Sequence, residues 1–149
     1  MNNFIFERFE ADTAKPNASE MTHQKVIFIW AALNTDKYPQ LKWLHAIPNA
    51  NSHRQVAEGV RSGVSDICLP WPLKKILTID DTLGLSNHTE VYHGLYIELK
   101  IEKRRNQKNG GCSDDQIAFT EYANSVGYKA VVCYGWLEAV KAIEEYLNG

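Results

Sequence analysis

The sequence predicts an α/β fold: a mixed sheet of four strands with helices covering its faces. Three observations predict it. Apolar residues recur at helical spacing in several segments, four short segments read as strands, and the two kinds alternate along the chain. At 149 residues, 44% hydrophobic and 23% charged, the chain can bury one sizeable core and is short for two, so residues 1–149 are expected to form one domain.

Residues 1–18 hold Pro16 and Asn17 and show no sustained periodicity, so an irregular N-terminal arm is expected. Ser19 suits an N-cap, and Val26, Ile27, Ile29, Trp30 and Leu33 supply the apolar surface of a helix over 20–34. Glu20 and Gln24 project from one face of that helix. Residues 43–47 read as a strand stopped by Pro48-Asn49, and 53–61 as a short helix ended by Ser62-Gly63. A second strand over 64–69 stops at Pro70-Trp71-Pro72, and 71–92 form an inserted connection, either a loop or a hairpin. The clearest strand is 94–101, where Leu95, Ile97 and Leu99 alternate with Tyr96, Glu98 and Lys100. Ser113 opens a helix over 113–126 that Gly127 ends, 128–133 is an apolar strand, and a last helix after Gly135 carries Trp136, Val140, Ile143 and Leu147 on one stripe.

The formal net charge of −2 does not mark the chain as a nucleic-acid binder. Positive charge is nevertheless concentrated in Lys100, Lys103, Arg104, Arg105 and Lys108, a run whose plain reading is a solvated loop. No apolar run approaches the roughly 18 residues of a membrane span, and the opening MNNFIFERFE is not a basic stretch followed by an apolar one, so the expected compartment is the cytoplasm. Cys68, Cys112 and Cys133 have neither pairing nor metal-ligand spacing and read as free thiols.

Three charged residues stand where a core would not choose them. Asp66 falls within an apolar strand segment, and Glu98 and Lys100 emerge on one face of another. If the two strands pair, two carboxylates and an ammonium converge. Such a set suits phosphodiester hydrolysis: carboxylates gather a hard cation such as Mg²⁺, the cation activates water and phosphate, and the lysine neutralises developing charge. The Glu-Leu-Lys tripeptide alone also fits a surface ion pair.

Several segments in order resemble the VRR-NUC family (virus-type replication-repair nucleases) of the PD-(D/E)xK superfamily. They are His45-Ala46-Ile47-Pro48-Asn49, residues 59–70 around Asp66, His93-Gly94-Leu95-Tyr96-Ile97-Glu98-Leu99-Lys100, Ser113-Asp114-Asp115-Gln116, and Val132-Cys133-Tyr134-Gly135-Trp136 with Glu138. The resemblance runs from about residue 20 to 147. It implies a restriction-endonuclease-like core and a DNA endonuclease selective for branched or otherwise structured DNA, acting in replication, repair or recombination. Asp66, Glu98 and the backbone carbonyl of Leu99 would bind Mg²⁺ or Mn²⁺, and Lys100 would be the catalytic lysine. Glu20 would face the metal, as a further candidate ligand, and Gln116 would join the site. A homodimer is implied as well. The alternative is a catalytically silent module of the same fold that binds nucleic acid or a partner protein.

Some residues carry two readings. Ser113-x-x-Gln116 is also a capping box, and Glu20 also a first-turn acid favoured by the helix dipole. Asn49 either reaches nucleic acid or makes the turn its residue type favours. Lys103, Arg104 and Arg105 are the expected phosphate contacts, since these need only charge and reach. Ser65 stands where the family usually has proline, and both the 66–98 connection and the basic loop after Lys100 are long for it.

Overall fold

The computed structural model describes residues 3–81 and 84–149. Its elements in order are α1 (Asn3–Thr13), α2 (Glu20–Leu33), β1 (His45–Ala46), α3 (His53–Ala57), β2 (Ile67–Leu69), β3 (Leu73–Asp81), β4 (Gly84–Tyr92), β5 (Leu95–Lys100), α4 (Asp114–Ser125), β6 (Lys129–Tyr134) and α5 (Trp136–Asn148). Four strands form one mixed sheet in the order β1-β2-β5-β6. β5 pairs antiparallel with β2 and parallel with β6, and α4 makes the crossover that a parallel pair requires. This is the mixed four-stranded sheet with flanking helices that the alternation predicts.

The alternation of β5 divides the molecule. Leu95, Ile97 and Leu99 face one layer, where they join Ile27 and Ala31 of α2 and Ala139 and Ile143 of α5 in the main core. Tyr96, Glu98 and Lys100 face the other layer, where Tyr96 packs edge-on against Phe119 of α4 with ring centroids 5.1 Å apart. A central strand covered on both faces has no solvent side on which to place a charge, so Glu98 and Lys100 are buried by the topology.

Several boundaries differ from expectation, each for a physical reason. Residues 3–13 are helical, not irregular: Phe6 meets Trp136 of α5 edge-on at 5.7 Å, so α1 is supported by a distant element that no local period reveals. Helix α3 stops at Ala57, four residues early, because the chain turns at Gly59 with φ +95°. The strand expected over 64–69 is only Ile67–Leu69, so Asp66 immediately precedes β2 instead of lying inside it. Its carbonyl still accepts the Ile47 N–H at 2.8 Å, which extends the contact with β1 by one residue. Within 71–92, β3 and β4 pair antiparallel over nine residues each, from Leu73 opposite Tyr92 to Asp81 opposite Gly84, as a two-stranded sheet separate from the main one.

Among the described residues, no helix is long and apolar enough to cross a membrane. Cys68, Cys112 and Cys133 are free thiols.

Candidate active site

Glu98 and Lys100 are 1% and 4% exposed, and the Lys100 Nζ donates to Glu98 Oε1 at 2.5 Å. Their two-residue spacing on β5 brings them to one face, and burial leaves each the other's nearest counter-charge. Gln116 Nε2 donates to the same Glu98 oxygen at 2.5 Å. Gln116 also closes a capping box with Ser113: its Oε1 accepts the Ser113 N–H at 2.9 Å, and its own N–H donates to the Ser113 hydroxyl at 3.2 Å. The two readings of Gln116 thus coexist, since each end of the amide serves one of them.

Asp66 reaches the pair through strand register. Ile67 lies opposite Ile97, so the residue before β2 comes level with Glu98 at the end of the ladder. Asp66 Oδ2 accepts the Leu99 N–H at 2.8 Å, and Asn49 Nδ2 donates to Asp66 Oδ1 at 3.4 Å. Asn49 therefore touches the site through a carboxylate. The Leu99 carbonyl lies on the same edge of β5 as its N–H, beyond the last residue that β2 pairs. Glu20, in the first turn of α2, brings Oε1 to 4.0 Å from the Lys100 Nζ and 3.5 Å from the Arg104 Nε.

The electrostatics follow from this packing. The Glu98 carboxyl is raised from 4.5 to about 7, first by burial and then by the neighbouring Asp66 charge, against the Lys100 hydrogen bond and charge that hold it down. Burial pulls the Lys100 ammonium down, but the hydrogen bond it donates to Glu98 and the charges of Glu98, Glu20 and Asp66 outweigh it, so the ammonium lies above its ordinary value. The Cys112 thiol, raised by burial, stands in the field of the same four residues.

The donor set fits a hard divalent cation. Glu98 Oε2 is buried and has no hydrogen-bond partner among the described residues, a costly arrangement for a carboxylate oxygen unless a cation, or a proton shared with the neighbouring Asp66, takes it. Among the described residues no three His, Cys, Asp or Glu side chains gather as a metal cluster. A cation here would therefore rely on Asp66, Glu98, the Leu99 carbonyl and water, a ligand set that suits Mg²⁺ better than zinc.

Among the expected phosphate contacts, Lys103 is exposed and makes no ion pair among the described residues, whereas Arg105 is fully engaged. Its Nε and Nη2 donate to Glu102 at 2.7 Å each, Nη2 also donates to Glu138, and the guanidinium lies 4.2 Å from the Tyr134 ring centroid. Glu138, which the sequence reading did not single out as a site residue, also accepts the Tyr134 N–H at 2.9 Å. Its signals in the sequence are an acid in the first turn of α5 and its place after Trp136 in the last matched segment.

The four-stranded mixed sheet, its order and its helical crossover fit a PD-(D/E)xK-like fold. The chain has, more narrowly, the VRR-NUC fold. A solved structure described as a VRR_NUC domain protein matches it with a TM-score of 0.63 at 22% identity, over 90% of this chain and 92% of that one. No family model and no curated protein matches the chain.

Proposed function

We infer that this protein is a metal-dependent nuclease that hydrolyses phosphodiester bonds in DNA, with Asp66, Glu98 and Lys100 as its catalytic core. One observation carries the reading. A buried carboxylate pairs one oxygen with a buried ammonium and leaves the other without a donor among the described residues, next to a second carboxylate. A purely structural ion pair would be expected to satisfy both oxygens. The name of the structural neighbour points the same way.

Asp66, Glu98 and the Leu99 carbonyl would hold Mg²⁺ or Mn²⁺, with Glu20 beside them engaged by Lys100 and Arg104. When bound there, the cation supplies Lewis-acid activation of the phosphate and of a water. The residues of the chain do the rest. The Leu99 amide fixes Asp66 and keeps one of its oxygens directed along the strand edge. Gln116 and Lys100 fix Glu98 from one side. Lys100, charged at neutral pH, offers its remaining N–H donors to a phosphoryl oxygen as negative charge grows on it. Selectivity for branched DNA, and a role in replication, repair or recombination, would then rest on DNA shape and deformability more than on base edges. A homodimer would join two such sites and two basic loops.

The test is direct. The purified protein is incubated with plasmid, linear, single-stranded and four-way-junction DNA in Mg²⁺, Mn²⁺ or EDTA. Cutting is expected only with metal, and Asp66→Ala, Glu98→Gln and Lys100→Ala should each lower it by about a hundredfold or more. Binding without cutting under every metal condition would instead establish the silent module.

A further inference from the structure

The loop after β5 carries adjacent arginines in opposite situations. Arg105 is anchored by Glu102, Glu138 and the Tyr134 ring, and the Tyr134 hydroxyl donates to the Gly110 carbonyl at 2.9 Å, so this bracket holds the loop to β6 and the start of α5. The Arg104 side chain has one charged partner, the Glu20 Oε1 at 3.5 Å from its Nε, and makes no hydrogen bond among the described residues. Its side chain is 45% exposed. Its stem is nonetheless fixed. Gly111, at φ +79°, passes so close that a Cβ there would lie 2.7 Å from the Arg104 Cβ and 3.0 Å from its Cδ. The loop thus holds the stem of Arg104 and leaves most of the guanidinium's donors open.

The oxygen that meets Arg104 is unusual too. Glu20 Oε1 is buried and accepts no hydrogen bond among the described residues, yet it lies 3.5 Å from the Arg104 Nε and 4.0 Å from the Lys100 Nζ. A single anionic oxygen therefore stands between the buried ammonium and a half-exposed guanidinium. Displacing it breaks no hydrogen bond, so a competing anion meets only the two ion pairs. A phosphodiester oxygen has the same charge and, with its neighbour, matches the planar fork of a guanidinium better than a loosely held carboxylate does.

We propose that Arg104 is the substrate-phosphate contact adjoining Lys100, and that Glu20 is an internal anion that occupies the place between the two cations until a nucleic-acid phosphate displaces it. The assignment rests on the nuclease reading for its substrate class. Arg105, by contrast, is a positioning residue that fixes the loop from which Arg104 reaches.

The experiment is a double-mutant cycle read by binding, so it needs no cleavage. Fluorescence anisotropy measures the affinity of the full chain for a labelled four-way junction and a labelled duplex in EDTA across a salt series. R104A should weaken binding about tenfold and make the salt slope shallower by about one. R104K, which keeps the charge and loses the fork, should fall between R104A and wild type. E20Q should tighten binding about threefold or more, and that gain should disappear in E20Q/R104A. An equal gain in both backgrounds, or R104A binding with wild-type affinity and slope, overturns the assignment. Thermal melts accompany each variant, and R104M, which keeps an unbranched stem without the charge, replaces R104A if that chain does not fold. A wild type that shows this cycle but cuts nothing in Mg²⁺ or Mn²⁺ overturns the nuclease reading alone, whereas a wild type that cuts but shows an additive cycle overturns only the role of Arg104.

Discussion

Glu98 is the residue whose protonation the fold controls most clearly. Its carboxyl titrates at about 7 in the folded chain against 4.5 ordinarily, with burial as the main cause. Between those two values the folded state binds more protons at this position than the unfolded state does, so the slope of unfolding free energy with pH is negative. Metal-free protein is therefore expected to lose stability as pH rises from about 4.5 to about 7, by an amount on the order of 3 kcal/mol from this group, and to change little above that. Glu98→Gln keeps the shape and removes the titration, so the difference between wild type and variant isolates the effect. Urea denaturation in EDTA at a series of pH values measures it. A difference that stayed flat between pH 4.5 and 7 would show that Glu98 remains ionised throughout and that Lys100 compensates its burial fully.

At the scale of elements, α4 joins helix capping to the site. Ser113 and Gln116 close a capping box, and the same Gln116 holds Glu98. Ser113→Ala should cost about 1 kcal/mol, the usual worth of a cap. Gln116→Ala should cost more, about 2–3 kcal/mol, because it also removes a hydrogen bond to a buried charged group. Chemical denaturation of the two variants side by side checks this, and equal costs would mean that the bond to Glu98 adds nothing to stability. Elements also show what the sequence makes legible. Strand β5 and the common face of Glu98 and Lys100 follow from alternation within six residues, and the α2 and α4 caps follow from local residue types. Helix α1 does not, since Phe6 finds its partner in Trp136 far along the chain. The anchoring of Arg105 is equally hidden, because Glu138 lies 33 positions away and no local period links them. Asp66 is intermediate: its residue type stands out in the sequence, but only the register of β2 against β5 brings it beside Glu98.

For the whole molecule, the question is which parts the fold requires. The main sheet is built from β1-β2-β5-β6 alone, and β3-β4 pair only with each other. The ribbon rests on the body near its base, where Leu73 and Tyr92 pack against the core and the Tyr146 hydroxyl donates to the Trp71 carbonyl at 2.6 Å. Further out, Ile76 and Val91 are exposed. A two-stranded ribbon in water is marginally stable unless something supports it, so its outer part is expected to add little to global stability. Leu73 and Tyr92 are directly opposite in register, and opposed residues in an antiparallel pair have Cα atoms about 5 Å apart, a gap that a two-residue turn spans. Replacing residues 74–91 by Asn-Gly should therefore leave the far-ultraviolet spectrum helical and cost only about 1 kcal/mol or less in thermal melts. The pH signature of Glu98 should survive as well, because that residue lies in β5 and the partners that set its titration, Asp66, Lys100 and Gln116, lie outside the ribbon. Loss of cooperative unfolding in the shortened chain would make the ribbon part of the folding unit. A retained fold with altered DNA affinity would instead locate the ribbon's contribution at the substrate.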